Sequence, residues 1–210
     1  MELKNSKNQQ TEVPLAYYLE RYRAIDPDAR ARELGIAYEG GCFRLTMLGS
    51  AYAIAWPGGE FSSDDDTALA VRDVYGQILL LRWLIDGLAL PAPESWMTFR
   101  EMPWGEVYIK TYNGRCIGRL ARKFGRDAES LEAFRRGAAA IGGRPLDHGD
   151  AGFEFDFLGE YRLRAFLWLG DEEYPPNAQI LYSGNFAAGF AAEDNVAVAE
   201  LLIGAIAGKC

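Results

Sequence analysis

The residues best suited to chemistry in this chain are three consecutive carboxylates, Asp171-Glu172-Glu173. They follow an apolar run directly and precede Tyr174-Pro175-Pro176. Proline fixes φ, so this segment should hold the acidic side chains in place. Carboxylates held in this way suit a hard metal ion, an acid–base pair or a cationic partner, and the alternative is a solvated turn. A second group is basic. Arg115, Arg119, Arg122 and Arg126 are spaced by 4, 3 and 4 residues, which puts them on one face of a helix. Residues 100–144 hold ten Lys/Arg against five Asp/Glu, a local net charge of +5 that leaves −13 for the remainder. This asymmetry suits an anionic or carboxylate-bearing ligand, and pairing with the acidic remainder of the same protein is the alternative. Glu193 and Asp194 open the last helical segment, where acidic residues ordinarily cap and complement the helix dipole. His148, in Asp147-His148-Gly149-Asp150, suits an axial ligand or proton carrier, or else an exposed turn position.

Several chemistries lack their residues. One histidine excludes any site built on two, and any Ser-His-Asp scheme that does not use His148. Cys42, Cys116 and Cys210 are far apart and contain no C-x-x-C, which disfavours a zinc knuckle, a thioredoxin-type pair and a self-contained iron–sulfur cluster. Gly40-Gly41 and Gly58-Gly59 lack G-x-G-x-x-G spacing, and there is no G-x-x-x-x-G-K-[ST], H-E-x-x-H or G-x-S-x-G. The net charge of −8 argues against generic binding to nucleic acid or anionic membranes. The polar N-terminus does not read as a signal peptide, and no apolar run approaches the ~20 residues that span a bilayer. The expected location is the cytoplasm. The residues by themselves imply no cofactor and no oligomeric state.

The elements that must position these residues follow from periodicity. Residues 1–12 read as a disordered tail, and 13–210 as a single α+β domain. Leu15, Tyr18, Leu19, Tyr22 and Ile25 fall at helical spacing. Asp26-Pro27 reads as an N-cap with Pro at N1, opening a short helix that Gly35 closes. Short β-type runs follow, separated by Gly pairs, up to Trp56. Ser62 to Asp66 precedes a continuous apolar helix over 69–86, with Asp64–Asp66 read as dipole-complementing residues or, alternatively, a metal site. Residues 88–105 read as a long loop holding Trp96, Phe99, Arg100, Glu101 and Trp104. Helices are expected over 106–124 and 128–141. Phe153, Phe155 and Phe157 alternate with Glu154 and Asp156, which predicts a half-exposed strand. Strands over 161–169 and 179–182 and a helix over 193–207 complete the reading. The pattern lacks βαβ alternation, so the expected class is α+β with a mainly antiparallel sheet of hairpins packed against several helices.

The run from Phe166 through Trp168-Leu169-Gly170-Asp171-Glu172-Glu173-Tyr174-Pro175-Pro176 to Tyr182 closely resembles the signature of a prokaryotic family, domain of unknown function 3786. Phe99-Arg100-Glu101-Met102-Pro103-Trp104-Gly105 is similar to the family's F-R-E-L-P-G-G, and Gly152 to Asp156 to the strand before the signature. The resemblance covers most of the chain after the N-terminal tail. Two positions depart from it: Ser183 stands where the family usually has Asp, and Ala192 where it has the Thr of a T-E-D. The resemblance implies a protein of anaerobic bacteria or archaea. It also implies a redox or tetrapyrrole setting, because some relatives carry a four-cysteine iron–sulfur module resembling one in corrinoid-dependent one-carbon enzymes. This chain lacks that module.

Together these features suggest a cofactor- or small-molecule-binding accessory protein. Arg100, Glu101, Trp104, Arg115, Arg119, Asp171, Glu172, Glu173, Glu193 and Asp194 are the candidate ligand-binding residues, and no metal ligand set is named. An enzyme using Asp171–Glu173 as acid, base or metal ligands is one alternative. A structural or interaction protein, with the acidic turn locked to Arg100 or the basic stripe, is another. A small molecule or a protein is the expected kind of partner.

Overall fold

A computed structural model describes residues 13–210, so the expected N-terminal tail lies outside the described residues. The chain divides into two compact units, one comprising the residues up to Leu45 and Ser50–Ala89, the other Thr46–Gly49 and Leu90–Cys210.

In the first unit, α1 spans Val13–Arg23 and α2 spans Pro27–Leu34. Asp26 accepts the Ala29 N–H at 3.0 Å, Pro27 occupies the first turn, and Gly35 closes α2 at φ 66°, as the sequence predicts. The strands are β1 (Ala37–Glu39), β2 (Cys42–Met47), β3 (Ser50–Ala55) and β4 (Phe61–Ser62). The apolar helix expected over 69–86 is broken. It forms α3 (Leu69–Arg72) and α4 (Val74–Asp86), because Asp73 is extended (φ −116°, ψ 118°) and caps the Tyr75 N–H. A residue that competes for backbone donors overrides the periodicity at that position. Asp65 organises the turn before α3 by accepting the Ser50 hydroxyl at 2.7 Å and the Thr67 N–H at 2.9 Å. Arg30 closes the far end of α4: its Nε–H donates to the Leu84 carbonyl at 2.7 Å, and its other donors reach the Trp83 and Gly87 carbonyls. The Leu84 and Gly87 carbonyls lie where a helix end leaves acceptors without an internal partner, whereas the Trp83 carbonyl also accepts the Gly87 N–H at 2.8 Å.

In the second unit, β5 (Trp96–Thr98) and a single 3₁₀ turn (Phe99–Glu101) occupy what reads as loop in the sequence. The expected helix over 106–124 is α5 (Gly105–Tyr112) and α6 (Gly118–Phe124), joined by a π turn over Asn113–Ile117. Then follow α7 (Ala128–Ala140), β6 (Arg144–Leu146), β7 (Ala151–Leu158), β8 (Tyr161–Trp168), β9 (Asn177–Ser183), α8 (Phe186–Gly189) and α9 (Ala192–Gly208). Strands run β6, β7, β8, β9, β5 across this sheet, each pairing antiparallel. Met47, at the end of β2, registers with Leu158.

One face of this sheet is the core. Phe153 packs edge-on against Phe134 of α7 at 5.7 Å, and Phe157 packs at a tilt on Phe186 of α8 at 5.8 Å. Cross-strand partners on that face are Leu163 with Tyr182, Ala165 with Ile180 and Leu167 with Ala178, all buried. The Tyr182 hydroxyl, fully buried, donates to the Asn195 carbonyl of α9 at 2.8 Å. The fold is thus α+β with an antiparallel sheet, as the sequence predicts. Because side chains alternate along a strand, Glu154, Asp156, Arg162, Arg164, Phe166 and Trp168 point away from the helices.

Candidate functional site

That opposite face carries a network of charged groups with aromatic neighbours. The β7–β8 hairpin sets Glu154 across from Arg164 and Asp156 across from Arg162, and β6 sets Arg144 across from Glu154. Arg164 donates from Nε to Glu154 at 2.8 Å. Arg144 donates twice to Asp156, at 2.6 and 2.9 Å, and once to Glu154 at 3.1 Å. Arg162 approaches Glu154 at 3.6 Å without a hydrogen bond. On the other side of Arg164 lies Trp96 of β5, whose ring centroid is 3.9 Å from the guanidinium carbon. Trp168 and His148 continue this face over Phe166, which is itself buried; the His148 ring stands edge-on to Phe166 at 4.7 Å and to Trp168 at 5.6 Å.

The electrostatics follow from this geometry. The Glu154 side chain is only 12% exposed. Burial alone would push its carboxyl up, but the hydrogen bonds and charges of Arg164 and Arg144 outweigh that and hold it below the ordinary value. Hydrogen bonding from Arg144 lowers Asp156 in the same way. Both carboxylates are therefore charged at neutral pH, and three guanidiniums face two of them. The strand expected to be half exposed is consequently buried except at Asp156, because ion pairing lets Glu154 lie inside.

The residues singled out from the sequence take separate places. Asp171 makes an Asx turn, its carboxylate accepting the N–H groups of Glu173 at 2.8 Å and Tyr174 at 2.7 Å. Glu172 and Glu173 are exposed, and their side chains make no ion pair or hydrogen bond among the described residues. The acidic turn is not locked to the basic residues: Arg100 pairs with Glu106 at 3.2 Å, and Arg115 makes two bonds to Glu200, at 2.9 and 2.8 Å. What anchors the turn is backbone, the Gly170 N–H donating to the Gly125 carbonyl at 3.1 Å. No group of three or more His, Cys, Asp or Glu among the described residues is placed to hold a metal ion.

Glu101 accepts the Thr98 N–H and hydroxyl, at 2.7 and 2.8 Å, which lowers its pKa and closes the 3₁₀ turn. Trp104 is 77% exposed and sits at φ 64°, in the left-handed region. The four-arginine stripe is shorter than its spacing suggests. Arg115 lies in the π turn, and Arg126 falls beyond α6, which Gly125 ends. Arg119 is exposed, and its side chain makes no ion pair or hydrogen bond among the described residues. Glu193 accepts the Tyr108 hydroxyl at 2.6 Å, and Asp194 accepts the Ala191 N–H at 3.3 Å at the start of α9. Ser183, fully buried, accepts the Arg162 N–H at 2.9 Å and donates to Asn185, so a neutral side chain organises this strand end.

The Arg–Glu–Trp face is absent from the sequence reading. The signal was present, since Glu154 and Arg164, like Asp156 and Arg162, are equidistant from Gly159, the turn of the hairpin. Reading it requires recognising the hairpin first.

An open antiparallel sheet, backed by helices on one face and charged on the other, defines an α+β protein with a presented surface. The chain belongs to the family described as Domain of unknown function (DUF3786), whose model matches residues 26–205. No curated protein and no solved structure matches the chain. No helix among the described residues is long and apolar enough to cross a membrane.

Proposed function

We propose that this protein binds a small organic acid on the charged face of the β6–β7–β8–β9–β5 sheet, as an accessory rather than a catalytic protein. The observation that carries this reading is the cluster of Arg144, Arg162 and Arg164 around Glu154, with Trp96 beneath Arg164. Guanidinium groups present fixed donors matched to carboxylates, and aromatic neighbours add an apolar surface for the body of a ligand. With Asp156 counted, the cluster has one more positive than negative group, which favours an anion. An acidic tetrapyrrole belongs to this ligand class, and the family resemblance places it first among those to screen. The reading puts the protein in the cytoplasm, in keeping with three free thiols.

A catalytic role for Asp171–Glu173 has less support. Asp171 is committed to its turn, and its two neighbours face solvent. The test is anaerobic purification followed by mass spectrometry of bound small molecules, then NMR titration with a panel of organic acids. The expected result is saturable shifts centred on Trp96, Arg162 and Arg164. Shifts centred instead on Arg119 and Arg122, or none with any acid, would overturn the reading.

A further inference from the structure

On this charged face the three arginines are not equivalent. Arg144 makes three hydrogen bonds to carboxylates, and Arg164 is held between Glu154 and the Trp96 ring. Arg162 makes no side-chain hydrogen bond among the described residues; its closest carboxylate oxygen is 3.6 Å away, and its side chain is 34% exposed. Its backbone is nonetheless fixed, because the Arg162 N–H donates to buried Ser183 at 2.9 Å. Across the sheet, Arg162 and Trp96 flank that short serine: Trp96 registers with Ser183, which lies beside Arg162. The result is a guanidinium on an anchored backbone, ion-paired with Glu154 but making no side-chain hydrogen bond, two strands from Trp96 on the same face.

From this arrangement we infer that Arg162 is the ligand-receiving cation of this face, binding one carboxylate group through its guanidinium fork while the flat apolar body of the ligand lies toward Trp96. A single carboxylate also balances the charge of the cluster, three guanidiniums against two carboxylates. This inference rests on the binding face proposed above. Arg162 acts as the specificity-determining residue, and the other two arginines hold Glu154.

The test is a titration of the full chain with benzoate as carboxylate probe, benzamide as its neutral counterpart and inorganic phosphate as a second oxyanion. Side-chain N–H resonances of the arginines and of Trp96 are followed by NMR. Wild type should respond to benzoate at Arg162 and Trp96, and at least about tenfold more weakly to benzamide. Arg162→Met should weaken benzoate binding about tenfold or more, and Arg162→Lys should restore part of it. An unfolding curve for each variant separates loss of binding from loss of fold.

Equal benzoate binding by wild type and Arg162→Met, with the shifts still on this face, overturns the role of Arg162 and leaves the face standing. Equal binding of benzamide, or tighter binding of phosphate, overturns the carboxylate assignment. Silence of the whole face toward every probe overturns this inference together with the binding face.

Discussion

The Arg164 guanidinium carbon lies 3.9 Å from the centroid of the Trp96 ring, joining β8 to β5 across the width of β9. Arg164 also supplies a donor to a buried carboxylate, so its removal should be felt twice. Hydrogen bonds to charged groups contribute about 1.5–3 kcal/mol. Arg164→Met should therefore lower stability by about 2 kcal/mol and alter the tryptophan emission. Urea unfolding followed by fluorescence reads both. A loss smaller than about 0.5 kcal/mol, the range of ordinary surface changes, would show that Glu154 finds equivalent donors without it.

Acid should weaken the protein through the same cluster. Glu154 and Asp156 are held below their unfolded values, which are about 4.3 for Glu and 3.9 for Asp. The stability they contribute is fully present above those values and is lost as pH falls through the lower, folded values. The urea midpoint should fall below about pH 4, and the fall should be shallower in Glu154→Gln and Asp156→Asn. An unchanged slope in the double variant would mean that other carboxylates, such as Glu101 or Asp127, carry the acid sensitivity.

Cys116 should be silent toward thiol reagents in the folded state. It is fully buried, and burial pushes its thiol up to about 12, with the charge of Glu200 adding to the effect. Thiolate is the reactive form, so both access and ionisation oppose modification. A native protein treated with a thiol-specific chromophore should release signal for Cys42 and Cys210 only, with Cys116 appearing on unfolding. Three thiols reacting at one rate would contradict the burial of Cys116.

At the start of α5, two adjacent residues should respond in opposite ways. A Cβ at position 105 would overlap the Phe99 carbonyl oxygen, a backbone atom that cannot swing aside. Gly105→Ala should cost about 1–3 kcal/mol, the range for overpacking. Trp104 is largely solvated, so Trp104→Ala should change stability by no more than about 0.5 kcal/mol. Equilibrium unfolding of the two variants decides the matter, and a neutral Gly105→Ala would mean that the turn moves.

Local features were legible in the sequence where one residue decides the backbone. Asp26, Pro27 and Gly35 marked both ends of α2, and the Gly-separated runs marked β1 to β3. Asp73 was hidden because its apolar surroundings continue the helical period on either side. The π turn at Asn113–Ile117 was hidden too, since a one-residue widening leaves composition untouched while it shifts the stripe begun at Arg115. The candidate site depended on strand register, which composition does not encode. Arg144, Glu154 and Arg164 are ten residues apart in steps that only β6, β7 and β8 bring side by side.

The Arg30 contacts with the end of α4 carry a consequence for local opening. A helix terminus ordinarily frays on its own, so its last amides exchange with solvent at little free-energy cost. Here the terminal carbonyls of α4 are bonded to a side chain from α2, more than fifty positions earlier. Fraying of α4 is then tied to release of α2, and deuterium uptake at Leu84 to Gly87 should rise and fall together with uptake in residues 27–34.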